Sequence, residues 1–323
     1  YQRHTDDLLL NVEIPQSSGF SNVTQNMGRI RNRGFELALR SVNLDHRSFR
    51  WSSEFNIAVN RNKVLALGRG GTPILSGRSG EGNPTNITMI GQPVGMFYGY
   101  VFEGIYQSAD EIATSPAFPG AIPGNIKFRD VNGDGRITPI DDFAIIGNPY
   151  PDAIFGLTNS VSSGRFHLRI LTTGALGGQR LRAFNEYLHN IDGVFNVTRD
   201  VANRWRSPDQ PGDGKTPTTV GTGRGRVMYR DVSSQWVEDA SFVSVKNVTL
   251  QCDLPERWVR GLMTSASVYV SVQDALVFTD YRGNPEVTNY GSAHGQGGPL
   301  VPGVDFSNYP VPRTITVGTQ FTF

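Results

Sequence analysis

The densest run of potential metal ligands is D-V-N-G-D-G-R-I-T-P-I-D-D, residues 130–142. Its oxygen-bearing side chains fall at the first, third, fifth and twelfth positions of an EF-hand-type calcium loop, with Gly135 at the sixth for the sharp turn. Asp130, Asn132 and Asp134 would supply side-chain oxygens, Arg136 its backbone carbonyl, and Asp141 the closing carboxylate. A calcium ion takes six or more oxygens, and this spacing curls them around one point. The expected role is structural. Two features oppose it: the twelfth position is Asp rather than the longer Glu, and no clear helices flank the loop. The competing expectation is a run of Asx turns that closes without metal.

A second group is aromatic. Tyr98, Tyr100, Tyr106, Tyr187, Trp205, Tyr229 and Trp236 lie in segments rich in Gly and Pro. Sugar rings stack on such faces, so these are the candidate substrate contacts. Packing of the loops themselves, or an interfacial aromatic girdle, is the plainer reading of any one of them. Enzyme signatures are missing. The five histidines lack metal-ligand spacing, G-R-S-G-E at 77–81 fails the nucleophile-elbow pattern at its last position, and G-T-G-R-G-R at 221–226 is no dinucleotide fingerprint. The formal charge of +1 gives no reason to expect a nucleic-acid partner. Cys252 is the single cysteine, which rules out an internal disulfide.

The elements that must carry these residues are strands. The last stretch reads R-T-I-T-V-G-T-Q-F-T-F, with Ile315, Val317, Phe321 and Phe323 on one face and hydroxyl or amide groups on the other. Ile30–Val42, Phe49–Asn60, Ala153–Val161, Phe166–Thr172 and Ala266–Val272 alternate in the same way. Phe242–Cys252 changes phase midway, and a bulge near Lys246 and Asn247 would keep its two apolar sets on one face. Tyr1–Leu10 is a further short strand, with a loop over Asn11–Met27. Spacing of Leu181, Phe184, Leu188 and Ile191 predicts one or two short helices within 180–205. Turns are expected at Asn43–Arg47, Ser162–Gly164 and Asp253–Thr264, and long loops over 61–152, 175–241 and 279–312. Alternating short and long connections between strands of about ten residues point to an all-β, antiparallel transmembrane β-barrel. The short turns would be periplasmic, and the long loops, holding the short helices, extracellular. A secreted, calcium-stabilised β-sandwich that binds or acts on glycans is the alternative.

Several blocks also resemble the SusC/RagA-type TonB-dependent outer-membrane receptors, in that family's order along nearly the whole chain. They are N-M-G-R-I-R-N-R-G-F-E-L at 26–37, F-N-I-A-V-N-R-N-K-V at 55–64, G-M-F-Y-G-Y-V-F-E-G-I-Y-Q at 95–107, the 128–142 loop with I-G-N-P-Y-P-D at 146–152, V-E-D-A-S-F-V-S-V-K-N-V-T-L at 237–250, and Y-P-V-P-R-T at 309–314. The resemblance implies the C-terminal strands of a larger barrel of about 22 strands. It implies a bacterial outer-membrane importer of a large nutrient, a glycan or a peptide, and no enzyme. Implied partners are a SusD-like lipoprotein lid, TonB, outer-membrane lipid, and an N-terminal plug and barrel segment of the same receptor. Q-D-A-L at 273–276 and Cys252 depart from the family pattern. About eight membrane-length strands are too few for loops of this size, so both edge strands are expected to pair with that N-terminal segment.

Overall fold

Alternation of apolar and polar residues builds one long sheet. The computed structural model describes residues 1–13, 22–68, 70–189, 196–218, 231–259, 261, 263–286, 298–306, 308 and 310–323. Eight strands run β1 (Gln2–Glu13), β2 (Asn22–His46), β3 (Phe49–Ala66), β4 (Ala153–Ser163), β5 (Phe166–Leu176), β6 (Phe242–Asp253), β7 (Ser265–Phe278) and β8 (Thr314–Thr322). Each is antiparallel to its neighbours in sequence, and β1 and β8 are the two edges of the sheet. They do not pair with each other, so these eight strands form an open arc of wall.

Register puts the apolar residues of β2 to β8 in line. Phe35 faces Val59, Ile57 lies between Leu37 and Phe155, Leu168 between Val161 and Leu250, and Val270 between Leu250 and Val317. Among the described residues nothing covers this face: Phe35 is 61% exposed, Ile315 67% and Val317 69%. The opposite face carries Glu36, Asn56 and Thr158, and on it Arg169, Thr249, Ser271 and Thr316 lie side by side in register. A sandwich would bury its apolar face against a second sheet. A wall that is greasy outward and polar inward is that of a membrane barrel. Among the described residues no helix is long and apolar enough to cross a membrane.

The phase change in β6 is a bulge, as the sequence predicts. Lys246 has no partner in the ladder, and the registers with β5 and β7 both shift beside it. Val243 and Val245 thereby stay on the same face as Val248 and Leu250. On β7 the shift is absorbed at Asp274, at φ 48°, and Lys246 Nζ lies 2.8 Å from Asp274 Oδ1.

Several boundaries differ from expectation: the turn expected at Ser162–Gly164 is Gly164–Arg165 because β4 continues to Ser163, and the 175–241 loop begins after Leu176, where β5 ends. The loop expected over 11–27 is largely strand: β1 continues to Glu13 and β2 begins at Asn22, and residues 14–21 lie outside those described. The turn expected at Asn43–Arg47 is two residues, Arg47 and Ser48, because β2 continues past a bulge at Asn43 and ends at His46. Arg47 takes φ 50°, the left-handed value of a tight hairpin turn. The 61–152 loop begins later, since β3 extends to Ala66. Finally, Leu181 belongs to a short strand, Gln179–Arg182, rather than to a helix; its spacing with Phe184 is accidental. Helices in that region are Asn185–Leu188 and a 3-10 turn at Arg199–Asn203, while Ile191 lies outside the described residues.

The buried core is in the loops, not in the wall. Phe97, Tyr100, Ile105, Phe118, Ile126, Phe128, Ile137, Phe143, Leu181, Trp205, Val232, Trp236, Val301 and Val304 form one cluster drawn from all three long loops. Loops of this length need a core of their own to stay ordered. Short strands frame it: Ile74–Ser76, Asn86–Thr88, Met96–Tyr100 and Phe143–Gly147 make one sheet, and Gln179–Arg182 sits between Val237–Asp239 and, in parallel, Val304–Asp305. One helix α1 (Ala109–Thr114) is capped by Ser108, whose Oγ accepts the Glu111 N–H. A second, smaller cluster of Val64, Leu67 and Val94, with Ile30, Ile74 and Leu300 against it, joins the loop body to the inner face of β2 and β3.

Candidate functional site: a cleft in the loop body

Burial separates the candidate aromatics. Tyr100 is fully buried, stacked on Phe128 at 4.3 Å and edge-on to Phe143 at 4.5 Å. Tyr106 is fully buried too, and its hydroxyl donates to the Pro116 carbonyl at 2.5 Å. Burial, then Glu111 and Glu103, push that phenol up to about 12. Trp205 closes over Gly124, where an added Cβ would meet its ring at 2.3 Å, and donates Nε1–H to Gln107 Oε1 at 3.1 Å. Trp236 lies in the same core, edge-on to His189. These four rings are core side chains in this conformation, the packing alternative raised from sequence. Tyr98 and Tyr187 keep partly open faces; Tyr187 packs edge-on against Phe306 at 5.8 Å. Tyr229 lies outside the described residues.

The 130–142 loop is held by amides. Asp130 accepts the N–H of Gly133 at 2.6 Å and of Gly135 at 2.8 Å; Asn132 Oδ1 accepts from Asp134 and Asp134 Oδ1 from Arg136. The Gly135 amide leads the groups that keep the Asp130 carboxyl below its usual range. Gly133 and Gly135, at φ 77° and 81°, make the left-handed bends possible. The carboxylate buried against the loop is that of Asp142, which accepts from Val131 N–H at 2.9 Å and Thr138 N–H at 2.6 Å. Asp141 receives only a long contact from Thr138 Oγ1, at 3.4 Å. Among the described residues no three carboxylate, imidazole or thiol groups converge on a point.

What sequence reading did not find is a cleft of about 470 Å³ where two of the long loops meet the end of β7. Arg182, Phe184 and Leu188 line it from the second long loop, Asp274 and Val277 from β7, and Arg282, Glu286, Asp305 and Asn308 from the third long loop. Its walls are held by ion pairs. Glu238 accepts from Arg282 at 2.7 Å and Arg182 at 3.2 Å, and Arg282 also reaches Asp200 at 3.4 Å. Burial alone would raise the Glu238 carboxyl, but the two guanidinium groups outweigh it and hold it low. Arg180 is tied to the cleft through Pro285: it donates to the carbonyls of Pro149, Gln179 and Pro285, and its burial lowers the guanidinium. Tyr281 donates to Asp305 at 2.6 Å, and burial followed by that bond raises its phenol. Charged and apolar surfaces alternate around this cleft, which suits binding of a polar ligand with apolar parts. No short motif could have revealed it, because its residues come from segments about 100 apart, joined by the parallel pairing of Leu181 and Val304.

On the inner face of the wall, His167 Nδ1 lies 3.0 Å from Ser162 Oγ and its Nε2 lies 2.8 Å from Asp253 Oδ2. The trio continues a ladder of polar contacts, Gln251 to Asp253 and Thr249 to Ser271, that lines the wall. It joins two hairpin ends across three strands.

No family model matches the chain. The TonB-dependent receptors P3 and P26 of Formosa agariphila are 33% and 34% identical to it over 328 and 331 residues, and each match covers the whole chain and 32% of the relative. The TonB-dependent receptor SusC of Bacteroides thetaiotaomicron is 25% identical over 334 residues. Solved structures of the RagAB peptide transporter superpose on the full chain with a TM-score of 0.77 at 21% identity, over 32% of that chain. The chain therefore spans about a third of the length of the curated relatives it matches. With eight wall strands in register and matches that run the whole length of the chain, this chain belongs to the SusC/RagA-type TonB-dependent receptors and forms part of their β-barrel.

Proposed function

We propose that the receptor containing this chain imports a large nutrient, a glycan or a peptide, across the bacterial outer membrane, powered by TonB. The observation that carries this reading is the loop body: three long loops pool one core at one end of the wall, and two of them leave a ligand-sized cleft at the end of β7. The names of the relatives support the TonB-dependent class. A SusD-like lipoprotein would cover the loops, and substrate would bind beneath it, with Tyr98 and Tyr187 offering ring faces. Remaining strands of the receptor would pair with β1 and β8, since each unpaired backbone group in hydrocarbon costs several kcal/mol. The plug would lie against the polar inner face.

The test is purification of the whole receptor from its outer membrane. A co-purified lipoprotein and a bound oligosaccharide or peptide are expected, with ligand occupancy reduced in Arg182→Ala/Arg282→Ala. Ligand held equally by that double variant would remove the cleft from the proposal. Orientation has its own check. Protease added to intact cells should cut within 67–152, 177–241 or 279–312 and spare Arg47–Ser48 and Gly164–Arg165; cleavage confined to those turns would invert the topology.

The 130–142 loop is proposed as a structural calcium site. Its donors are all oxygens, as calcium requires. Asp130, Asn132, Asp134 and the Arg136 carbonyl would hold the ion, with Asp141 turned in from its present place. Asp134→Ala is then expected to lower the melting temperature in calcium and to change little in chelator. Equal losses in both would leave the Asx turns as the whole of the loop's role.

A further inference from the structure

The lipid-facing side of the wall ends, toward the long loops, in a block of positive charge. Arg31 pairs directly with Lys63 across β2 and β3, and Arg33 pairs directly with Arg61. Side chains alternate along a strand, so all four share the face of Phe35, Leu37, Val59 and Ile57 and stand just beyond them. Directly opposed side chains have Cβ atoms about 4.5–5.5 Å apart, and like charges so placed repel. Two such pairs on successive rungs of one face are unfavourable unless an anion lies over them.

The chain supplies little of that anion. Arg61 reaches Asp152 at 2.6 Å, and Arg29, next along, takes Asp6 at 2.7 Å. Among the described residues no carboxylate is within ion-pair distance of Arg31, Arg33 or Lys63. Nε of Arg31 is shielded from water and has no hydrogen-bond partner. Behind these rungs, on the inner face, Ile30 and Val64 are packed against the loop body, so the cations have only the outward side to serve. That side is where the apolar band stops. Phe35 is two residues from Arg33, about 7 Å along the strand.

We propose that Arg31, Arg33, Arg61 and Lys63 bind the phosphorylated headgroup of a membrane lipid whose acyl chains lie along the apolar face of β2 and β3. Charge complementarity selects an anion, and the adjoining apolar band selects one that carries hydrocarbon. Basic clusters at the edge of a membrane-embedded surface take anionic headgroups for the same reason. The inference rests on the outer-membrane reading of the wall.

The experiment uses the whole receptor, purified in detergent and weighed intact by native mass spectrometry with added lipid A, phosphatidylethanolamine or inorganic phosphate. Lipid A retention should fall tenfold or more in Arg33→Gln/Lys63→Gln. It should be kept in Arg33→Lys and in Arg169→Gln, which lies on the inner face. Phosphatidylethanolamine retention should not change, and phosphate should not displace lipid A. Heat-modifiable gel mobility of each variant confirms a folded barrel. Equal retention of lipid A by the double variant overturns the site, as does displacement by phosphate, which would mark a free-anion site. Loss of a co-purified lipoprotein with lipid A still bound overturns it in favour of a protein interface. Retention of neither lipid by the unaltered receptor would sink the membrane reading, and the site with it.

Discussion

Arginine placed at Val270 is expected to cost the folded receptor about 2–4 kcal/mol, the range for a cation on the lipid face near the bilayer midplane. Val270 lies near the middle of β7, between Leu250 and Val317, in the row of side chains that no described residue covers. Its neighbour Ser271 points the other way, bonded to Asn247 and Thr249 at 2.9 Å. Ser271→Arg should therefore cost about 1 kcal/mol, the worth of lost hydrogen bonds in a wet lumen. Urea unfolding of the whole receptor from lipid vesicles compares the two. Equal costs would show that the two faces see the same solvent, and the barrel reading would fall.

Tyr100→Ala should break the loop body while leaving the wall intact. The ring is fully buried between Phe128 and Phe143, and removing an aromatic side chain from such a place costs about 3–5 kcal/mol. Hydrogen exchange within 96–147 should accelerate by two orders of magnitude or more, with heat-modifiable barrel mobility preserved. Tyr100→Phe should protect these amides far better, since the stacking face is kept. Tyr187→Ala, at a partly open ring, should leave them unchanged and act on ligand binding alone. Unchanged exchange in Tyr100→Ala would mean that the three loops do not share a core.

The wall was legible because its signal is simple. A strand with lipid on one side and water on the other must alternate, and seven such strands repeat the pattern until chance is excluded. Even the Lys246 bulge could be read, since Val245 and Val248 cannot both face lipid without it. Strand ends were harder. Ser41, Asn43, Ser53 and Asn159 are polar yet lie on or beside the outer face, joined in a hydrogen-bonded row that also takes Trp51 Nε1–H. A polar row there reads as a turn, which is why β2 was expected to stop at Val42. The loop body hid for the opposite reason. Its strands are two to five residues long, and Asn86–Thr88 and Ile126–Phe128, buried along nearly their whole length, have no period to detect. Tyr100, Tyr106, Trp205 and Trp236 show the same limit: sequence locates an aromatic ring but not whether it faces ligand or core.

The pooled core has a mechanical meaning. Three independent loops would each fluctuate about their own two stalks, and a force on one would die out there. Here Phe97, Leu181 and Val304 interlock across all three. The stalks belong to β3 and β4, β5 and β6, and β7 and β8, so one rigid block is bolted to six of the eight strands of this arc. Such a block resists shear between neighbouring strands in the way a brace stiffens a curved panel. Changes in the curvature of the wall are then transmitted to the cleft as a tilt of the entire block, with little distortion inside it.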